Sequence, residues 1–105
     1  MCAARFRAPA MPAYVITEID WHDEKKANEY RTLFGPVLEK FGGKTLAVQG
    51  PPVVLDGNWK PSRVVLLEFP TMAAVHAWYN SPEYAPVLAL RHEAAKTNMI
   101  AIERA

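Results

Sequence analysis

Gly57-Asn58-Trp59-Lys60-Pro61-Ser62-Arg63-Val64-Val65-Leu66-Leu67-Glu68-Phe69-Pro70 sets a polar turn against an apolar strand that ends at a proline. Four consecutive aliphatics inside Arg63 to Phe69 predict a central strand, covered on both faces. Proline has no N–H to continue a ladder, and the threonine that follows is a good helix N-cap. Met72, Val75, Trp78 and Tyr79 then form the apolar stripe of a helix. Strand followed at once by helix is the unit from which the rest can be placed.

Upstream, Val53-Val54-Leu55 is too short to stand alone as a strand. With the hairpin signal Asp56-Gly57 it predicts a small arm folding back towards Arg63. Lys44 to Gln49 reads as a short strand, preceded by Gly42-Gly43, which supplies the positive φ that ends a helix. That helix opens at Asp23 as N-cap and carries Ala27, Tyr30, Phe34, Val37, Leu38 and Phe41 on one face. Pro36 inside it predicts a kink near Leu33 or a restart. Ahead of the helix, Ala13 to Trp21 alternates as a strand: Val15, Thr17, Ile19 and Trp21 on one side, Tyr14, Ile16, Glu18 and Asp20 on the other.

Downstream, Ser81-Pro82-Glu83 is an orderly helix start, with serine as N-cap and proline at the first helical position. Tyr84, Val87, Leu88 and Arg91 share a side of this third helix, which is expected to fray after Ala95. Lys96-Thr97-Asn98 is expected to turn the chain into a last strand, Met99 to Glu103.

The order of elements is βαββαβ with the second helix in two pieces. It predicts a ferredoxin-like α+β fold, an antiparallel sheet with helices on one face. The other sheet face would carry Ile16 and Leu66 or their neighbours, and both sets are largely apolar. Burial against a second copy with two-fold symmetry is the simplest resolution, so a homodimer with sheets face to face is expected.

Composition bounds the function. The chain has 105 residues, half of them apolar, with a formal net charge of +1 and mixed acids and bases. No basic stripe suggests nucleic acid, and no apolar run reaches the roughly 18 residues of a membrane helix. The single cysteine, Cys2, excludes an internal disulfide and a thiolate cluster for zinc. A cytoplasmic location fits this usage. Residues 1–10 hold two arginines and no long apolar segment; they are expected to be a disordered extension ahead of a single domain at 11–105.

Lys40-Phe41-Gly42-Gly43-Lys44, Asp56-Gly57-Asn58-Trp59-Lys60-Pro61-Ser62-Arg63 and Glu68-Phe69-Pro70-Thr71 together resemble a known family. So do Ala77-Trp78-Tyr79-Asn80-Ser81-Pro82-Glu83-Tyr84 and Leu90-Arg91. The chain is similar, from Met11 to Glu103, to the small domain of unknown function numbered 1330, within the dimeric α/β-barrel superfamily. Lys44 departs from the arginine more usual there, keeping charge but losing the bidentate fork. The resemblance implies a ferredoxin-like dimer forming an α/β barrel and no established activity. The wider superfamily includes cofactor-independent monooxygenases, isomerases and haem-binding proteins, which bear on this chain by fold analogy only.

Candidate chemistry is sparse. Glu68 lies in an apolar strand, where a carboxylate must be paired or shifted in pKa, so it is a candidate general base; an ion pair with Lys44, Arg63 or a dimer partner is the plainer role. His76, one turn from Tyr79, is a candidate acid or base, whereas His22 and His92 sit at helix ends and read as solvated. Arg63 can bind a carboxylate bidentately. Trp59, Trp78, Tyr79, Tyr84 and Tyr30 are candidate walls of an apolar cleft, although aromatics at helical spacing are more often core. No metal-ligand spacing, haem-ligand setting, phosphate loop or dinucleotide fingerprint is present, so no cofactor is expected. The reading is a homodimer that binds a small aromatic or carboxylated molecule between sheet and helices. Cofactor-independent acid-base or monooxygenase-like chemistry is one extension of it; a non-catalytic binding module or a purely structural dimer is the alternative.

Overall fold

The computed structural model describes residues 11–105. The expectation for residues 1–10 lies outside them. The elements are β1 (Ala13–Trp21), α1 (Glu24–Lys40), β2 (Lys44–Gln49), β3 (Val64–Phe69), α2 (Met72–Tyr79), α3 (Ala85–Ala94) and β4 (Ala95–Glu103). The strands form one antiparallel sheet in the order β2-β3-β1-β4. This is the ferredoxin-like α+β fold.

Local chemistry accounts for most of the boundaries. The Asp23 carboxylate accepts from the Lys26 N–H at 3.1 Å, and the Thr71 hydroxyl accepts from Ala74 N–H at 3.0 Å. Each satisfies a backbone donor that the first helical turn leaves unpaired. Gly42, at φ +80°, turns the chain out of α1. Gly43 is needed for a different reason: a Cβ there would lie 2.5 Å from Leu38 Cδ1 and 2.8 Å from the Phe69 ring.

Four details differ from the sequence reading. Helix α1 runs unbroken through Pro36, with no restart. The Ser81 hydroxyl accepts from Tyr84 N–H at 3.0 Å as an N-cap does, but regular helix begins only at Ala85, after a turn. There is no turn at Lys96–Asn98: α3 passes straight into β4, because β1 is long enough to pair Asp20 with Lys96, Ile19 with Thr97 and Glu18 with Asn98. Val53–Leu55 forms no strand; the segment between β2 and β3 protrudes, and Leu55 is 93% exposed.

Alternation assigns the two sheet faces. Ala13, Val15, Thr17 and Ile19 of β1, with Leu67 and Phe69 of β3, are buried beneath the helices. Trp78 sits at the centre of that layer, packed on Phe69 at 5.1 Å and on Tyr84 at 4.5 Å between ring centroids. Among the described residues no helix covers the opposite face. Ile16 stands beside Leu66 on one side and Ile100 on the other, and Tyr14 beside Ile102. Ile100 is 58% exposed and Ile102 48%. Strand β3 is therefore covered on one face only within the described chain, the other presenting Val64, Leu66 and Glu68 half-buried. Among the described residues no helix is long and apolar enough to cross a membrane.

Candidate ligand-binding site

Helix α1 crosses the sheet without covering β2, all six residues of which are exposed. The gap beneath the helix is a cleft of about 350 Å³, at the small end of the roughly 300–1,000 Å³ typical of ligand pockets. Thr17, Ile19, Val65, Leu67 and Met99 form its floor; Tyr30, Phe34 and Leu38 of α1 form its roof; Thr45 and Val48 of β2 form its open side. Trp21 closes one end, its ring 5.3 Å from that of Tyr30, and Tyr30 in turn stacks on Phe34 at 5.2 Å. The walls are thus mainly apolar and aromatic, held by a strand and a helix that are fixed against one core.

The polar groups enter from the inner end. Arg91, on α3, lines the cleft and is only 2% exposed. Its Nη1 donates to the Thr97 hydroxyl at 2.7 Å, whereas its Nε finds no hydrogen-bond partner among the described residues. The hydroxyls of Tyr30 and Tyr84 share a hydrogen bond of 2.9 Å. Burial pushes the Tyr30 hydroxyl well above the usual tyrosine pKa, the Tyr84 hydroxyl adds to the rise, and the Arg91 guanidinium works against it. Tyr30 is accordingly neutral and able to donate at any physiological pH. Arg63 and Arg31 stand further out. Arg31 is engaged by Glu24 at 3.6 Å and donates to the Asn28 side-chain Oδ1 at 2.6 Å. Among the described residues no aspartate, glutamate or histidine lines the cleft.

Of the residues singled out by sequence, the cleft brings together Arg63 and Tyr30, with Tyr84 behind Tyr30. The others lie elsewhere. Glu68 is on the opposite sheet face, paired with Lys44 at 3.3 Å, and borders a shallower depression of about 260 Å³ with Gly42 and Pro70. His76 is exposed on α2. Trp78 is wholly buried in the core with its indole N–H unpaired among the described residues, and Tyr79 packs on it at 5.9 Å. Trp59 belongs to the protruding segment and donates to Glu18 Oε2 at 3.2 Å, on the helix-free face. Arg91, Thr17 and Trp21 were not among the candidates. The signal for Arg91 was available: it stands seven residues after Tyr84 and four after Val87, an arginine on an otherwise apolar helix face. Among the described residues no group of three or more His, Cys, Asp or Glu side chains converges.

Comparison with known proteins gives a family and a fold. The family model for Domain of unknown function (DUF1330) matches residues 12–105. No curated protein matches. Among solved structures, a protein of unknown function from Rhodopseudomonas palustris is 21% identical, with a TM-score of 0.74 over 94% of this chain and 85% of that one. The hydroxynitrile lyase of Passiflora edulis is 12% identical, with a TM-score of 0.69 over 93% and 96%. A dimeric ferredoxin-like protein of unknown function from Thermobifida fusca is 16% identical, with a TM-score of 0.55 over 96% and 96%.

Proposed function

Because the chain belongs to the DUF1330 family, which brings it no activity, we propose a function from its own geometry: a homodimeric protein that binds a small, largely apolar organic molecule in the cleft between α1 and the sheet. The observation that carries this reading is the cleft itself. An open cleft of about 350 Å³ lined by aromatic and aliphatic side chains leaves apolar surface in water beside a tightly packed core, and the apolar body of a ligand would bury it. The donors at its inner end add orientation. Turnover in this fold has a precedent in the Passiflora edulis lyase. Among the described residues the titratable groups on the cleft are Tyr30 and arginines, so proton transfer to a bound substrate would fall to Tyr30, with Tyr84 relaying, rather than to Glu68 or His76.

The homodimer is proposed through the helix-free face. Ile16, Leu66, Ile100 and Ile102 are contiguous there, and a second copy supplies a matching apolar surface by symmetry. The Thermobifida fusca relative is described as dimeric, which supports the same occupant.

The binding reading is tested by ligand-observed NMR with a panel of small aromatic acids, alcohols and amides, read alongside quenching of Trp21. Binding at sub-millimolar concentration that is lost in Val48→Trp, which narrows the open side, is the expected result. A panel with no binder, or one that binds Val48→Trp equally well, refutes it.

A further inference from the structure

Arg91 is the anomaly of the cleft. An arginine cannot discharge itself by losing its proton, so a buried guanidinium needs an anion or a full set of acceptors. Arg91 has neither. Among the described residues no carboxylate lies within 4.0 Å of it, the Thr97 hydroxyl accepts from Nη1 at 2.7 Å, the Tyr30 hydroxyl lies close enough for the guanidinium to oppose its raised pKa, and Nε is unpaired. The four ion pairs of the described residues are Lys26 with Glu93, Arg31 with Glu24, Lys40 with Glu83, and Lys44 with Glu68. None of them reaches into the cleft to serve it. Burying one partner of an ion pair alone is strongly unfavourable, and the space in front of this one is open and bounded by donors.

We infer that the ligand is an organic carboxylate, its head group taken by Arg91 and the Tyr30 hydroxyl and its apolar body lying between Phe34 and the Val65–Leu67 floor. This rests on the ligand-binding reading above and names the chemical class that the cleft selects. The donor set is one-sided: Arg91, Tyr30, Thr17 and, outward, Arg63, with no carboxylate among the lining residues. Such a set attracts an anion and repels a cation, and the low dielectric of the site strengthens both effects. The Tyr84 hydroxyl, 2.9 Å from that of Tyr30, can donate to it and leave the Tyr30 proton free to point at the ligand. The elevated proton affinity of Tyr30 keeps that donor intact.

The test compares 2-naphthoate with its neutral isostere 2-naphthamide by isothermal titration at neutral pH, in the wild type and in Arg91→Met. The wild type is expected to prefer the carboxylate at least ~10-fold, the scale of a charge-assisted hydrogen bond. In Arg91→Met the preference is expected to vanish, the carboxylate losing far more affinity than the amide. The ligand-free Arg91→Met protein is expected to melt at the same temperature or higher, because an uncompensated charge has been removed. Arg91→Lys keeps the charge but loses the fork, and its preference is expected to fall at least ~3-fold; it decides the matter if the methionine variant does not fold. Equal wild-type affinities, or a preference undiminished in both variants, overturn the carboxylate assignment and leave the ligand-binding reading standing. Failure of both probes to bind the wild type overturns both.

Discussion

At the scale of single residues, the buried hydroxyl pair at the inner end of the cleft makes the sharpest predictions. Tyr84 is fully buried and bonds Tyr30 at 2.9 Å. Tyr84→Phe leaves the Tyr30 hydroxyl without that partner, and a loss of about 1–2 kcal/mol is expected in urea unfolding. The double Phe variant is expected to recover part of it, since neither hydroxyl is then stranded. Tyr30 also predicts an alkaline limit. Its folded pKa is raised above the usual tyrosine value of about 10, chiefly by burial. A raised folded pKa means that the folded state holds its proton where the unfolded chain has lost it. The resulting stability is complete below about pH 10 and declines as pH rises through and beyond that value. Melting temperatures recorded between pH 8 and 11 are expected to fall more steeply in the wild type than in Tyr30→Phe; parallel curves would remove Tyr30 from the account.

At the scale of elements, the parts that the sequence revealed are those decided by near neighbours. Caps at Asp23 and Thr71, the apolar alternation of β1 and the face of α1 are all local patterns, and each stands where its pattern predicts. What was not legible depended on partners distant in sequence. Lys96-Thr97-Asn98 reads as a turn in isolation and is strand only because β1 extends far enough to pair it. Asp56-Gly57 signals a hairpin, and Gly57 does take φ +88°, yet no strand flanks it. The candidate site suffered most. Glu68 and Arg63 differ in parity along β3, a fact plain in the sequence, but only the helices' choice of face decided that Arg63 meets the cleft. Arg91 reads as one member of a helical stripe until the absence of a carboxylate around it is seen. The junction of α1 with β2 gives a prediction of its own. Gly43→Ala would force a methyl group to within 2.5 Å of Leu38 and 2.8 Å of Phe69, and overpacking of this kind costs about 1–3 kcal/mol. Circular dichroism melting that shows no loss would mean that the β2 end of the sheet shifts freely.

For the whole molecule, the proposed reading divides the labour between the two faces of one sheet, ligand on the helix side and second copy on the other. Ile100→Lys on the helix-free face is expected to give a monomer by light scattering at micromolar concentration while leaving naphthoate binding in place; an unchanged mass would place the interface elsewhere. A four-stranded sheet also has two rims, here β2 and β4, and β2 is exposed at every residue from Lys44 to Gln49. The shift in register between Thr45 and Ala47 interrupts its row of backbone donors and acceptors. Interruptions of that kind deny an incoming strand a template. The bulge is therefore expected to guard against fibrillation. Deleting Leu46 to restore a regular ladder is expected to leave a chain that folds but accumulates thioflavin-positive aggregates, growing rim to rim instead of stopping at two copies.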